Sequence, residues 1–158
     1  MKGQTTRRIL ISILCINALS GCADPTRKLT YEIVRTPPEQ RATALSRLPA
    51  ERQLDVYEYA YRRMEPSVIL AGEVASNWRT TLPVITDRLA RNNSEQSLVG
   101  LMMILSTVSS QNCSLAKRND TLLAASQAVS KISPPYRELA ERQLKKIKNP
   151  DSDLPPCE

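Results

Sequence analysis

The placement of proline along an otherwise helical pattern constrains the fold of this chain most strongly. Pro49, Pro66 and Pro83 follow one another at intervals of 17 residues. Proline is tolerated in the first turn of a helix but disrupts a helix interior, so we expect a helix to begin at each of them. One helix and one turn repeated at this length are typical of antiparallel hairpins stacked like HEAT repeats. Three evenly spaced helix starts without a true repeat are the alternative.

Helical periodicity continues on both sides of these prolines. Thr36, Asn93 and Ser133 have side chains that cap a first turn well, and we expect a helix after each. The helix after Asn93 is apolar nearly all round and should lie at the centre of the core. No stretch alternates apolar and polar residues as a strand does. The sequence therefore predicts an all-α fold of about six to eight helices, as a compact bundle or a short stack of antiparallel hairpins.

Composition argues against most catalytic chemistry. The chain has no His, which is the commonest general base and the commonest metal ligand. It has four Gly and eleven Pro, a poor basis for glycine-rich phosphate loops. Glu73, Asp87 and Glu95 are not spaced as a catalytic carboxylate pair. We expect no enzymatic activity, no catalytic residue, no metal and no cofactor.

The N-terminus has the three parts of a secretory signal. Lys2, Arg7 and Arg8 give a positive start, and residues 9–19 form an apolar segment. That segment is shorter than the roughly 20 apolar residues that a membrane-spanning helix needs. Small residues follow at Ser20 and Gly21, immediately before a cysteine.

The run Leu19-Ser20-Gly21-Cys22 resembles the lipobox of bacterial lipoproteins. The resemblance implies that residues 1–21 are removed and that the Cys22 thiol carries the lipid. An ordinary cleaved signal, with Cys22 present by chance, is the alternative. Ala23 follows Cys22, and we expect the outer membrane, on its periplasmic face, because lipoproteins retained in the inner membrane tend to carry Asp at that place.

Cleavage there defines the expected organisation of the chain. Removing residues 1–21 from 158 leaves 137, the size of one domain. The formal charge falls from +6 to +3, because three cations and no acid are lost, and this is too mild for nucleic-acid binding. We expect a lipidated tether over 22–28, a helical domain over 29–148 and a tail over 149–158.

The four cysteines are expected to have different fates after export. Cys15 leaves with the signal and Cys22 is acylated, so Cys113 and Cys157 remain in an oxidising compartment. A disulfide between them is expected to tie the tail to the loop after the central helix. Two free thiols are the alternative.

A possible partner surface is formed by Tyr59, Arg62 and Arg63, since Tyr and Arg are enriched in interface hot spots. An ordinary solvated helix face is the alternative. The predicted function is a lipid-anchored, non-catalytic binding or accessory module of the envelope, such as an assembly helper or an immunity-type protein. Its expected partners are the membrane, through the lipid, and another envelope protein. A structural lipoprotein or, less favoured, a cell-wall or lipid-acting enzyme are the alternatives.

Overall fold

The computed structural model describes residues 24–63, 67–111, 115 and 118–149. Within these residues the chain forms eight α-helices and no strand, which confirms the all-α prediction. The helices are α1 (Pro25–Arg35), α2 (Pro38–Ser46), α3 (Ala50–Arg63), α4 (Ser67–Ala75), α5 (Trp78–Arg91), α6 (Glu95–Gln111), α7 (Asn119–Ser130) and α8 (Tyr136–Lys148). The signal, Cys22, Cys113, Cys157 and residues 150–158 of the predicted tail lie outside the described residues.

The order of helix contacts is that of stacked hairpins. The most extensive contacts join α6 with α8, α5 with α7, and α4 with α6, so each of these helices packs on the helix two places along. The odd-numbered helices contact one another in series, and so do the even-numbered ones. Contacts between neighbours in sequence join the two series. Helix-hairpin repeats stack in this way, because each unit buries its apolar face against the next.

Helices α3 and α6 join the two series at the centre of the fold. They contact each other although they are three places apart in the order, and each also contacts four other helices. Along α6, apolar side chains are buried on most sides, as predicted for a central helix. They are Leu98, Val99, Leu101, Met102, Ile104, Leu105 and Val108.

The prediction that a helix begins at Pro83 was wrong. Pro83 lies inside α5, which begins five residues earlier at Trp78. An interior proline costs about 3 kcal/mol because it removes one backbone hydrogen bond and crowds the preceding turn. The ring lies on the exposed side of α5, while Leu82, Ile85 and Leu89 are buried on the other side. Burial of each of these side chains stabilises the helix by about 2 kcal/mol, which outweighs the proline cost.

The three predicted caps were displaced by one or two residues. Helix α2 begins at Pro38 rather than Pro37, and the Thr36 hydroxyl donates back to the carbonyl of Glu32 at the end of α1. Before α6, Ser94 rather than Asn93 accepts a hydrogen bond from the first turn. Helix α8 begins at Tyr136, with Pro135 at the cap position, and the backbone N–H of Ser133 donates to the Glu95 carboxylate.

The first helix begins earlier than the sequence predicted. Residues 25–28 form its first turn, although they were assigned to the tether. The Asp24 carboxylate accepts a hydrogen bond from the backbone N–H of Thr26 at 2.9 Å, and Pro25 occupies the first helical position. An acidic cap followed by proline is a strong helix start, even where the following residues are polar.

A glycine allows α3 and α6 to approach closely. A Cβ at Gly100 would lie 3.0 Å from the ring of Tyr61, so a larger residue would require that ring or the helices to shift. The Tyr57 hydroxyl donates a hydrogen bond to the carbonyl of Gly100 at 2.9 Å, and Tyr57 is fully buried. This bond joins the two central helices directly.

Replacing Tyr57 with Phe should lower the free energy of unfolding by about 1–2 kcal/mol, because the buried Gly100 carbonyl loses its side-chain donor. Tyr31→Phe, on the exposed face of α1, is the control and should change stability by less than about 0.5 kcal/mol. Urea unfolding followed by circular dichroism measures both. Equal effects of the two variants would contradict a role for the buried hydroxyl.

Candidate functional site

The predicted partner surface lies in the second half of α3. Arg62 and Arg63 are exposed in the last turn, whereas Tyr59 is only partly accessible. The Arg62 Nε also donates to the carbonyl of Glu58 one turn earlier, at 3.2 Å. Cations at a helix C-terminus are favoured by the helix dipole alone, so their position has a structural explanation as well. Contact with a partner remains a prediction.

The other two tyrosines of α3 lie further inside, Tyr57 fully buried and Tyr61 half-buried. The rings of Tyr57 and Tyr61 are stacked, with centroids 5.9 Å apart. Burial, followed by the proximity of Tyr61 and Glu58, raises the pKa of Tyr57 well above its usual value. The pKa of Tyr61 is also raised, first by burial and then by Tyr136 at the start of α8.

Tyr136, at the start of α8, is near enough to Tyr61 to raise the pKa of that phenol. The Tyr136 residue is 46% exposed, and helix α8 packs along α6 rather than on α3. The sequence did not reveal this proximity. An exposed phenol can donate a hydrogen bond to a partner.

A second polar cluster is centred on Arg88. Its guanidinium contacts the carboxylates of Glu51, Asp55 and Glu58, at 2.6, 2.9 and 3.0 Å. The same group donates to the backbone carbonyl of Glu51 at 3.0 Å. The three acids lie on one face of α3 because they are spaced four and three residues apart. That spacing is visible in the sequence and is the signal by which this cluster could be predicted.

The electrostatics of Arg88 explain why this cluster is stable. Burial alone would lower the pKa of Arg88, but the hydrogen bonds that its guanidinium donates to the three carboxylates raise that pKa above its ordinary value. The guanidinium therefore stays charged at any physiological pH. An open cleft of about 320 Å³ lies beside it, lined by Glu58, Asp87, Arg88, Arg91 and Asn92. The charges of Arg88 are already paired with α3, so the cluster acts as a link between α3 and α5.

Trp78 lies in the core, with 8% of its surface exposed. Two guanidinium groups cover its ring, that of Arg79 at 4.9 Å and that of Arg118 at 5.7 Å from the ring centre. Such contacts stabilise by about 0.5–1 kcal/mol each at a partly exposed site. A cavity of about 110 Å³ adjoins the ring, and the hydroxyls of Thr86 and Thr121 are hydrogen-bonded at its wall.

The three acidic residues considered as a carboxylate pair have separate surroundings. Asp87 pairs with Arg91 along α5, and Glu95 accepts from the backbone N–H of Ser133. Glu73, on α4, has one buried carboxylate oxygen with no hydrogen-bond partner among the described residues. Burial raises the pKa of Glu73, and Arg41 partly opposes this shift.

The remaining predicted sites lie elsewhere in the chain. Cys22, Cys113 and Cys157 are outside the described residues, so the lipid site and the disulfide stay predictions. In the part of the chain that the structure describes, no group of three potential metal-ligating side chains occurs. No helix there is long and apolar enough to cross a bilayer. Comparison with protein-family models, curated proteins and solved structures returns no match.

Replacing Arg88 with Met should lower the free energy of unfolding by about 2 kcal/mol, because Glu51 and Glu58 then lose their cation and Asp55 keeps only its contact with Arg52 at 3.4 Å. Arg91→Met is the matched control, one turn along the same helix. The Arg91 side chain is 80% exposed. An exposed pair such as Arg91 with Asp87 contributes little, so this variant should change stability by less than about 0.5 kcal/mol. Thermal unfolding distinguishes the two, and an equal loss in both variants would contradict the link.

Proposed function

We propose that this protein is a lipid-anchored, non-catalytic binding or accessory module of the bacterial envelope. The observation that carries the proposal is the run Leu19-Ser20-Gly21-Cys22 behind a positive start and a short apolar segment. The position of α1 supports it, since a folded helical domain begins at Pro25, directly after the lipidation site. The outer membrane, facing the periplasm, is the proposed location.

The strength of membrane attachment depends on the number of acyl chains. Each buried methylene adds about 0.8 kcal/mol of membrane affinity, so two or three chains hold a protein stably where one does not. Only a few residues separate Cys22 from Pro25. The anchor therefore confines the domain to the membrane surface, where its accessible surfaces meet other envelope proteins.

We further propose a disulfide between Cys113 and Cys157 in this compartment. On the chain-entropy view, closing such a loop stabilises the fold by about 4 kcal/mol. It would join the connection between α6 and α7 to the C-terminal segment.

The proposed partner surface is the end of α3, formed by Tyr59, Arg62 and Arg63. Two exposed cations and a partly accessible aromatic ring suit an acidic surface of another envelope protein. An assembly helper and an immunity-type protein both act through such a surface. A structural lipoprotein without a discrete partner is the second candidate. Crosslinking in intact envelopes distinguishes it from a binding or accessory module.

Cys22→Ala should abolish metabolic labelling by an alkyne-bearing fatty acid and release the protein from the membrane fraction, because the acceptor thiol is gone. Cys15→Ala is the matched control, since it removes a cysteine from the same signal and should leave both labelling and membrane attachment unchanged. Continued labelling of the Cys22 variant would refute the anchor.

Crosslinking in intact envelopes should recover one stoichiometric protein with the parent chain. Arg62→Glu combined with Arg63→Glu should reduce that recovery by about tenfold, because two attractive contacts become repulsive. Lys145→Glu combined with Lys146→Glu makes the same change of charge on α8 and should preserve recovery. Equal recovery with both pairs would rule out the α3 surface, and the absence of any stoichiometric partner would favour the structural lipoprotein.

A further inference from the structure

The outward face of α1 carries an exposed cationic stripe. Lys28, Tyr31 and Arg35 follow one another along one side of the helix at intervals of three to four residues, and Arg27 lies next to them. All four side chains are exposed. The Arg27 guanidinium lies 5.8 Å from the centre of the Tyr31 ring. We call this surface the α1 basic face.

The opposite side of α1 holds the helix on the domain. Thr30 and Ile33 are buried there, and the helix contacts α2 and α3. The α1 basic face consequently points away from these two helices. Its orientation relative to the rest of the fold is set by buried contacts.

Two acids border the α1 basic face and reduce its charge. The Asp24 carboxylate is engaged by the backbone N–H of Thr26, where the positive end of the helix dipole also offsets it. Glu32 is exposed on one edge. Three cations against two carboxylates, one of them held at the helix start, leave the stripe itself positive.

The covalent anchor places this face at the bilayer. An extended chain spans at most about 3.6 Å per residue, so the three steps from Cys22 to Pro25 cover no more than about 11 Å. Helix α1 itself has 11 residues and is about 16 Å long. Charges attract anionic headgroups within a Debye length, about 8–10 Å at physiological salt. A helix tied so closely to an acylated cysteine lies within or near that range.

We infer that the α1 basic face binds anionic phospholipid headgroups and sets the orientation of the domain on the membrane. Lys28, Arg27 and Arg35 contact the phosphates, each contributing about 1 kcal/mol near such a surface. Tyr31 lies at headgroup depth, where amphipathic rings are favoured. The inference rests on the proposed lipid anchor at Cys22.

The test uses the complete processed protein, purified from membranes and reconstituted through its own lipid. Vesicles contain phosphatidylcholine alone or with about 30 mol% phosphatidylglycerol. The rate of acetylation of each lysine by an amine-reactive reagent is read by mass spectrometry. Anionic lipid should slow the modification of Lys28 at least about threefold, and about 0.5 M NaCl should reverse this. Lys145 and Lys146 on α8 serve as internal controls and should react equally in both vesicles.

A variant pair separates charge from mere proximity. Arg27→Gln with Arg35→Gln keeps Lys28 as the reporter and should abolish its protection, whereas Arg62→Gln with Arg63→Gln removes the same charge from α3 and should preserve it.

Equal reaction of Lys28 in both vesicles, with the protein still attached, would overturn the inference and leave the anchor intact. Protection that is independent of lipid charge would also overturn it and would indicate another occupant. Failure of the protein to stay with either vesicle would overturn the anchor and the inference together.

Discussion

The crossing of α3 and α6 is the contact on which the rest of the fold depends. At this point the Tyr57 hydroxyl donates to the Gly100 carbonyl, and the Tyr61 ring lies against the position where Gly100 has no Cβ. Each of the two helices also packs against four others, so their separation sets the separation of the two series of helices. The polar bond inside an apolar crossing favours one register, because a shift along α6 would leave the buried Tyr57 phenol without its acceptor.

The Arg88 cluster fixes a second relation, that between α3 and α5. One guanidinium serves three carboxylates of α3, and this is possible because guanidinium has five donors in a fixed plane. Lysine at this position would offer a single point charge to three acids. Together, the phenol bond and the cluster join α3 to both series of helices. Its exposed C-terminal end is thereby held in a defined position.

The sequence predicted the class of fold well because helical periodicity is a local property. The central role of α6 followed from its apolar surface. The predicted helix boundaries were less accurate, because a proline can either precede a helix or be accommodated inside one. Pro49 precedes a helix, while Pro83 is accommodated inside one by the packing of buried neighbours. The packing energy of side chains that are distant in sequence decides between these two cases. A short stretch of sequence around the proline does not contain that information.

The candidate sites also contain some features that local sequence predicts and others that depend on tertiary packing. The exposure of Arg62 and Arg63 was readable from α3 alone, and the spacing of Glu51, Asp55 and Glu58 could have indicated a shared cation. The proximity of Tyr136 to Tyr61 depends on how α8 packs, which no local pattern encodes. The early start of α1 matters most for function, because it brings the folded domain closer to Cys22 than the predicted tether would.

The proposed lipid anchor and the proposed orientation of α1 both require processing at Cys22. The N-terminal tryptic peptide of the protein isolated from membranes tests this processing directly. Mass spectrometry should show a peptide that begins at Cys22, ends at Arg27 and carries two or three acyl chains. An N-terminal peptide that retains residues before Cys22, or one that begins at Cys22 without added mass, would contradict the account.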